Sequence, residues 1–507
     1  MLWLALHLPR LSLEAFCATL SPADAARPVA LIGEHRVVAV NTVAAQRGLK
    51  TGQRRATALA LAADVLVGQA DAVRDAAALQ AVAHVALAFT PMVTFEGVAT
   101  VLLEVQASLR YFAGHARLLG RLRLALAPLG HRVHIASAPT PLGAALLAQW
   151  RDGFAEGPHS RQLAALQQRL DEAPVWLLGP GREHWDALQG MGLQTLADLR
   201  RLPRAGLARR FGEGLLENLD RASGQRADPR QALVPSAVFE SRLELFARAD
   251  TSAQVLHGAG LLLARLVAWA QAQQARIGAF TLQMRHESRH RGRTSPDEAG
   301  GEATALRIEL AEPSLDPEHL QLLLRERLVN VELAAPTLEL QLDCRELVRS
   351  APPNGELFPT RQSQAQGLTR LLERLRARLG EEQVLRVVPV ADHRPERATS
   401  LQPVQHSAPP AMPPALTAVA GPLHRPVWLL PAPLPLPERN ALPLLGGRPV
   451  RLLSGPERIE SGWWDGELVA RDYFIGQAED GALVWIYRAR LLATEPEAPW
   501  FLQGRFG

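Results

Sequence analysis

Cysteine is almost missing from this chain. Cys17 and Cys344 stand far apart, with no CxxC pair and no Cys/His cluster, so neither a disulfide framework nor a zinc site is indicated and a reducing compartment fits best. Lysine is scarcer still: Lys50 is the single one, and arginine supplies the rest of the 55 basic residues. Arginine forks suit phosphate recognition, although codon usage in a GC-rich genome produces the same bias. A net charge of only +4 does not by itself demand a nucleic-acid partner. No run of about 18 apolar residues marks a membrane span, and the opening apolar stretch is too short and lacks the basic flank of a signal peptide. A soluble, intracellular protein is expected.

What the chain does have is length and apolar content. With 507 residues, 47% of them hydrophobic, it can bury a large core and divides into three or four domains. Residues 1 to about 165 alternate strands and helices. Met1 to Leu8 reads as a buried strand, followed by "VVAV" at Val37–Val40, a helix through Ala44, and strands at "HVALAF" (His84–Phe89), "VATVLLEV" (Val98–Val105) and "HRVHIASA" (His131–Ala138). A helical stretch covers about Pro174 to Val234. Alternation returns from about 238 to 350, with long helices near Ser252–Gln274 and Pro317–Val329. After Ala351 the composition shifts to the proline-rich "LQPVQHSAPPAMPPALTAVAGP", a linker without periodicity, and then to a tryptophan-rich β segment beyond Arg425. The fold class is α+β, multidomain.

The helical stretch carries a local motif. "LLGPGREHWDALQGMGLQTLADLRRL" sets Gly179 and Gly181 two apart, then a short helix, Gly192 and a second helix ending near Leu202. Glycines in such a hairpin let the backbone approach a phosphate, with N–H groups at the next helix start facing it. Arg182, Arg200, Arg201 and Arg204 are placed to add backbone contacts. This is a helix-hairpin-helix pattern, which is common at ordinary helix turns as well.

Its surroundings narrow the choice. "AAQRGLKTGQRR" at Ala44–Arg55 is similar to the fingers pattern ARxxGxxxGM, with Gly48 and Gly52 on the glycines, and "ASAPTPLGAALLA" is similar to the palm pattern GxAPxKxLAKxA. Together with the hairpin, about 180 residues in, they resemble the Y-family DNA polymerases over residues 1 to 350. The resemblance implies a palm at 1–165 with fingers inserted at about 17–70, a thumb at 166–236 and a little finger at 237–350. A clamp-motif segment and linker would follow at 351–425, then a partner-binding module at 426–507.

Polymerases of that family hold two magnesium ions with carboxylates from two strands, which activate the primer hydroxyl and neutralise the triphosphate. Aligned on Glu14, the first motif puts Ala5 and His7 at the aspartate positions. Aligned on Glu104, the second puts Ala99 and Thr100 at the Asp-Glu pair. Alanine offers no lone pair, and histidine or threonine cannot replace carboxylates around hard cations. The expected fingers tyrosine and arginine fall on Thr42 and Ala45, and the expected palm lysine falls near Asp152. Glu14, Glu96 and Glu104 are the nearest remaining acids and read as solvated or salt-bridged. No catalytic residue, metal or cofactor is therefore expected.

The pattern resembles the catalytically degenerate branch of the family found in bacterial damage-induced mutagenesis cassettes. The tail segments "GPERIESGWWDGELVARDYFIG" and "LVWIYRARL…PWFLQGRFG" are similar to that branch. The resemblance implies a cytoplasmic, nucleoid-associated adaptor in SOS-induced translesion synthesis. Its implied partners are DNA, the β sliding clamp, an ImuA-type RecA-like protein and an error-prone C-family polymerase, with no membrane.

Three docking elements are legible. In "APPNGELFPTRQ", Asn354, Gly355, Glu356, Leu357 and Phe358 stand where a QLxLF-type clamp peptide would place its glutamine, leucine and aromatic. The run "RHESRHRGR", with Arg285, Arg289, Arg291 and Arg293, lines a DNA groove or is a solvated charge run. In the tail, Trp428, Trp463, Trp464, Trp485, Trp500, Tyr473 and Tyr487 are either interface anchors or the core of a small β module. Alternation in "LVWIYRAR" puts Trp485 and Tyr487 on one side of a hairpin with a single buried face. An active lesion-bypass polymerase with relocated metal ligands is the competing class of function, and an unrelated helix-hairpin-helix DNA-binding protein is a third.

Overall fold

Alternation along the opening strand sorts its side chains between two cores. In a computed structural model of the chain, which describes residues 1–287, 303–333, 335–349, 361–404, 425–426, 428–490 and 500–506, the first strands are β1 (Trp3–His7), β2 (Val29–Gly33), β3 (Arg36–Val40), β4 (Leu66–Gln69), β5 (Val93–Glu96), β6 (Thr100–Glu104) and β7 (His134–Ala138). The first sheet runs β5-β6-β1-β7 with antiparallel neighbours. Leu4 and Leu6 pack with Val101, Leu103 and the helix Ala72–Leu87. Trp3 and Ala5 face the other way, into a core shared with the helix Pro141–Trp150 and the helical stretch that follows. Both faces of β1 are covered, which is why it reads as continuous apolar sequence. A smaller sheet, β3-β2-β4, has its own core around Ile32, Val37 and Leu49.

In the first 165 residues one expected strand is a helix. "HVALAF" is not a strand: His84–Leu87 is the last turn of Ala72–Leu87, a helix of 16 residues started by Asp71, whose carboxylate accepts from the N–H groups of Val73 and Arg74. The capped, alanine-rich run upstream decides the matter, because six apolar residues fit either conformation.

Six helices between Leu163 and Ser223 form the helical stretch. Thr195 and Asp198 close a capping box at the start of Leu196–Arg201. Gly181 is required by an internal contact: a Cβ there would lie 2.2 Å from the carbonyl oxygen of Val175, whereas a Cβ at Gly179 meets nothing within 4 Å.

The second large sheet is built from β8 (Phe239–Ala249), β9 (Arg276–His286), β10 (Ala303–Ser314) and β11 (Thr337–Val348), in the order β10-β9-β11-β8. The helices Ser252–Ala272 and Pro317–Val329 pack on it. Ser252–Ala272 is long and apolar enough to cross a membrane, an exception to the expectation that no such run exists, yet most of it is buried in this core.

The range 351–425 holds more structure than a motif and a linker. The helix Arg361–Leu379 docks on the second sheet's layer: Ala377 joins that core, and the Glu373 carboxylate takes 2.9 Å from His319 Nε2 and also accepts from the Ala311 N–H. The strands Leu385–Pro389 and Thr399–Pro403 then pair with each other. The compact units are Met1–Arg378 and Leu379–Gly507.

In the second unit a five-stranded sheet is ordered Trp428–Leu436, Trp500–Arg505, Leu483–Ala489, Val469–Gln477, Arg451–Ser461. Trp485 and Tyr487 do share a side, with Tyr473 stacked 4.2 Å from Trp485. The expected single buried face is corrected, however: Val484 and Ile486 are buried on the opposite side with Trp500 and Leu502. A strand in the middle of five is covered from both sides. The aromatics therefore split by residue. Trp485, Trp500, Tyr473 and Tyr487 are core, while Trp428, Trp463 and Trp464 are exposed. Arg394, itself buried, holds the Trp463–Trp464 turn through Asp465 at 2.6 Å and the Glu467 carbonyl at 3.2 Å, with Asp392 at 2.7 Å.

The glycine contact makes a paired prediction. Gly181→Ala lowers unfolding stability by about 1–3 kcal/mol, because the Val175 backbone must move, and Gly179→Ala is close to neutral. Urea unfolding of the two variants checks it, and equal effects would count against the contact.

Candidate functional site

Most of the positions singled out from the sequence gather at the free end of the first sheet, whose residues come from four strands. β1 ends on His7, β6 begins on Thr100, β7 begins on His134 and β5 ends on Glu96; His7 is register partner to both Thr100 and His134, and Thr100 to Glu96. His7 Nδ1 lies 2.9 Å from Thr100 Oγ1. The His7 and His134 rings are 6.2 Å apart. Burial first, then the neighbouring His134, lowers the His7 imidazole to about 4, against a raising hydrogen bond with the Ala99 backbone. The pair at the strand ends is thus a neutral imidazole and a hydroxyl. These are poor ligands for a hard divalent cation.

Of the four positions singled out from the sequence, His7, Ala99 and Thr100 come together at this end. Ala5 does not. It is fully buried opposite Leu102 and Ala136, two residues back along β1, beneath the helix Pro141–Trp150. The sequence alignment spaces Ala5 and His7 as a pair, but alternation points both to one face and burial separates them: the sheet's end exposes only the second.

The three acids marked from the sequence are all engaged. Glu96 is paired with Arg230, which also holds Asp228 at 2.6 Å. Glu14 accepts from the Arg132 N–H at 2.9 Å and sits 3.6 Å from His131. Glu104 accepts from the N–H groups of Leu2 and Gln106, at the far end of the sheet. Among the described residues no three His, Cys, Asp or Glu side chains gather as a metal site. Asp152 is likewise spent on the Ile135 N–H, at 3.3 Å. Thr42 and Ala45 lie exposed on the short helix Thr42–Gln46.

Two openings adjoin this end. A cleft of about 780 Å³ runs from His7 and Ala99 past Arg10, Ser12 and Asp75 to the β3 residues Val38 and Ala39. Burial raises the Asp75 carboxyl, against a hydrogen bond from Ser12. A second, more polar cavity of about 530 Å³ is lined by Glu96, Gln149, Trp176, Arg221 and Arg230. Arg182 borders both, with its guanidinium 5.5 Å over the Trp176 ring. The residue that the hairpin motif marked for phosphate contact thus faces the sheet end. Sequence reasoning missed Arg230, Asp228 and Asp75, since nothing local in the sequence pairs Arg230 with Glu96, 134 positions away, or Asp75 with Ser12, 63 positions away.

The other marked cations are differently placed. Arg204 is 2.6 Å from Asp220, Arg200 pairs with Asp171, and Arg201 is largely exposed near Asp198. Arg285 lies on β9, 3.7 Å from Glu339. Arg289, Arg291 and Arg293, and Asn354 through Phe358, lie outside the described residues.

Comparison with known proteins gives three kinds of likeness. Residues 12–149 match the model of the impB/mucB/samB family. Over 479 residues the chain is 28% identical to Protein ImuB of Caulobacter vibrioides strain NA1000 / CB15N, covering 91% of this chain and 100% of that protein. The same figures hold for strain ATCC 19089. Among solved structures, an insertion ternary complex of Dbh DNA polymerase matches with 16% identity and a TM-score of 0.38, covering 69% of this chain and 100% of that one. DinB from Sulfolobus solfataricus matches with 15% identity and a TM-score of 0.35, covering 69% and 99%.

The buried imidazoles set a pH dependence. Burial also lowers His84 to about 4. Both imidazoles stay neutral in the folded chain and take a proton near 6.5 when unfolded, so between about 6.5 and 4 the unfolded state binds more protons and stability falls with acid. The loss is on the order of 2 kcal/mol per histidine, allowing for partial solvent screening. His7→Gln with His84→Gln flattens this slope in urea titrations at stepped pH; an unchanged slope would contradict the assignment.

Proposed function

We propose that this chain, an ImuB homologue whose residues 12–149 match the impB/mucB/samB family, works in damage-induced mutagenesis as a non-catalytic, polymerase-like adaptor. In this reading residues 1–165 are a palm with fingers inserted at about 17–70, 166–236 a thumb, 237–350 a little finger and 426–507 a partner-binding module. The single observation that carries it is the pairing of His7 with Thr100 at 2.9 Å at the sheet end, with the neighbouring carboxylate of Glu96 taken up by Arg230. Two-metal phosphoryl transfer needs several carboxylates free to meet the cations, and here Glu96 is taken by Arg230 and Asp75, the carboxylate in the adjoining cleft, accepts from the Ser12 hydroxyl. DNA contact is assigned to the surfaces bordered by Arg182 and by Arg285, through phosphates and without sequence preference. The chain would hand synthesis to an error-prone C-family polymerase, with the β sliding clamp and an ImuA-type RecA-like protein as further partners.

Primer extension tests the reading against an active polymerase with relocated ligands. The purified chain is expected to add no nucleotide in magnesium or manganese, while retaining primer-template in a mobility-shift assay that weakens as salt rises. Template-directed extension that co-purifies with the chain would sink the adaptor reading. Aspartates at Ala5 and His7 are not expected to restore synthesis, since Ala5 is buried away from the sheet end.

The clamp contact is assigned to Asn354, Gly355, Glu356, Leu357 and Phe358. Burying a leucine and a phenylalanine contributes roughly 1.5–3 kcal/mol each, which is most of what a short peptide brings once its ordering is offset. Leu357→Ala with Phe358→Ala is expected to abolish clamp retention in a pulldown and leave DNA binding intact. Full retention by the double variant would move the contact elsewhere.

A further inference from the structure

Between the helix Ala72–Leu87 and the helix Ser252–Ala272 lies a cation that no acid among the described residues answers. Arg265 is 4% exposed, and its one described side-chain hydrogen bond runs from Nη1 to the Ser241 hydroxyl at 3.2 Å. Burial pulls its pKa down to about 10. Close by, His84 is 7% exposed and its Nε2 is buried without a partner among the described residues. Arg265 and His84 line the same cavity, of about 360 Å³, with Gln80, Ser241 and Trp269. The carboxylate on its wall, Glu240, is exposed and held by Arg242 through Nε at 3.1 Å and Nη2 at 2.7 Å.

A guanidinium taken out of water is expensive unless another charge meets it, and a hydroxyl oxygen is not a counter-charge. An imidazole nitrogen left without a partner in the same wall adds to that cost. We propose that this cavity binds a small free oxyanion of the phosphate or carboxylate class, whose oxygens accept from the Arg265 fork and meet the open nitrogen of His84. The guanidinium presents a planar set of donors suited to two oxygens at once. The volume falls at the small end of ligand pockets. Only 4% exposure at Arg265 favours a free anion over a phosphate inside a DNA strand, because flanking sugars cannot follow it in. Bound there, the anion joins the first sheet's helix to the second sheet's helix, so its occupancy strengthens the contact between the two layers. The inference does not depend on the adaptor reading.

Thermal unfolding of the full chain tests it, in inorganic phosphate, in malonate and in chloride at matched ionic strength and neutral pH. Wild type is expected to gain about 1–2 °C when phosphate or malonate is about ten times its Kd. Arg265→Met is expected to lose that gain while unfolding in chloride at least as high as wild type, since it removes an uncompensated buried charge. No gain in wild type overturns the site, and an equal gain in Arg265→Met assigns the effect to surface arginines and overturns it too. Arg265→Lys, which keeps the charge without the fork, is expected to weaken phosphate binding about tenfold by calorimetry; unchanged affinity refutes the geometry even if the methionine variant does not fold. A single-stranded oligonucleotide is expected to produce no shift that depends on Arg265, and one that does would overturn the free-anion assignment.

Discussion

The first sheet hangs on the pairing of β1 between β6 and β7. That pairing fixes which side chains enter each core and which emerge at the sheet's end. A period of two leaves no freedom here: a one-residue slip would turn Leu4 and Leu6 toward the helix Pro141–Trp150 and carry His7 into the core. The same register that buries the strand is what sets the His7 imidazole against the Thr100 hydroxyl at the sheet's end. The cores on both faces and the residues presented at the sheet's end are two outcomes of one ladder.

Much of this was legible in the sequence, for physical reasons that can be named. β1, β6 and β7 announce themselves because strands covered on both faces are apolar throughout, and the helices Ser252–Ala272 and Pro317–Val329 because their length and caps leave no alternative. "HVALAF" misled because a short apolar run has no period of its own, and the deciding residue, Asp71, lies thirteen positions before it. The helix Arg361–Leu379 was hidden by its neighbours' prolines and by the long-range partners, His319 and Ala311, that hold it.

At the site, residue types were readable but their employment was not. The absence of aspartates could be seen at once. That Glu96 serves Arg230, that Glu104 caps backbone, and that Ala5 lies behind the site rather than in it are facts of three-dimensional pairing. The tail shows the same limit: seven tryptophans and tyrosines in one segment left two possible uses, and the structure buries four of them and leaves three exposed. Composition describes what is available, and topology decides where it is spent.

The Arg394 frame has a consequence for how the chain comes apart. Its hydrogen bonds to Asp392 hold that carboxyl down at about 2, so the ionic frame beneath the Trp463–Trp464 turn persists until the medium is far more acidic than the range in which His7 and His84 take up protons. Mild acid therefore works on one compact unit and spares this frame in the other. Under such conditions the chain is a heterogeneous material, with a first body losing cohesion beside a second whose charges are still locked, and a single melting temperature would average over two different events.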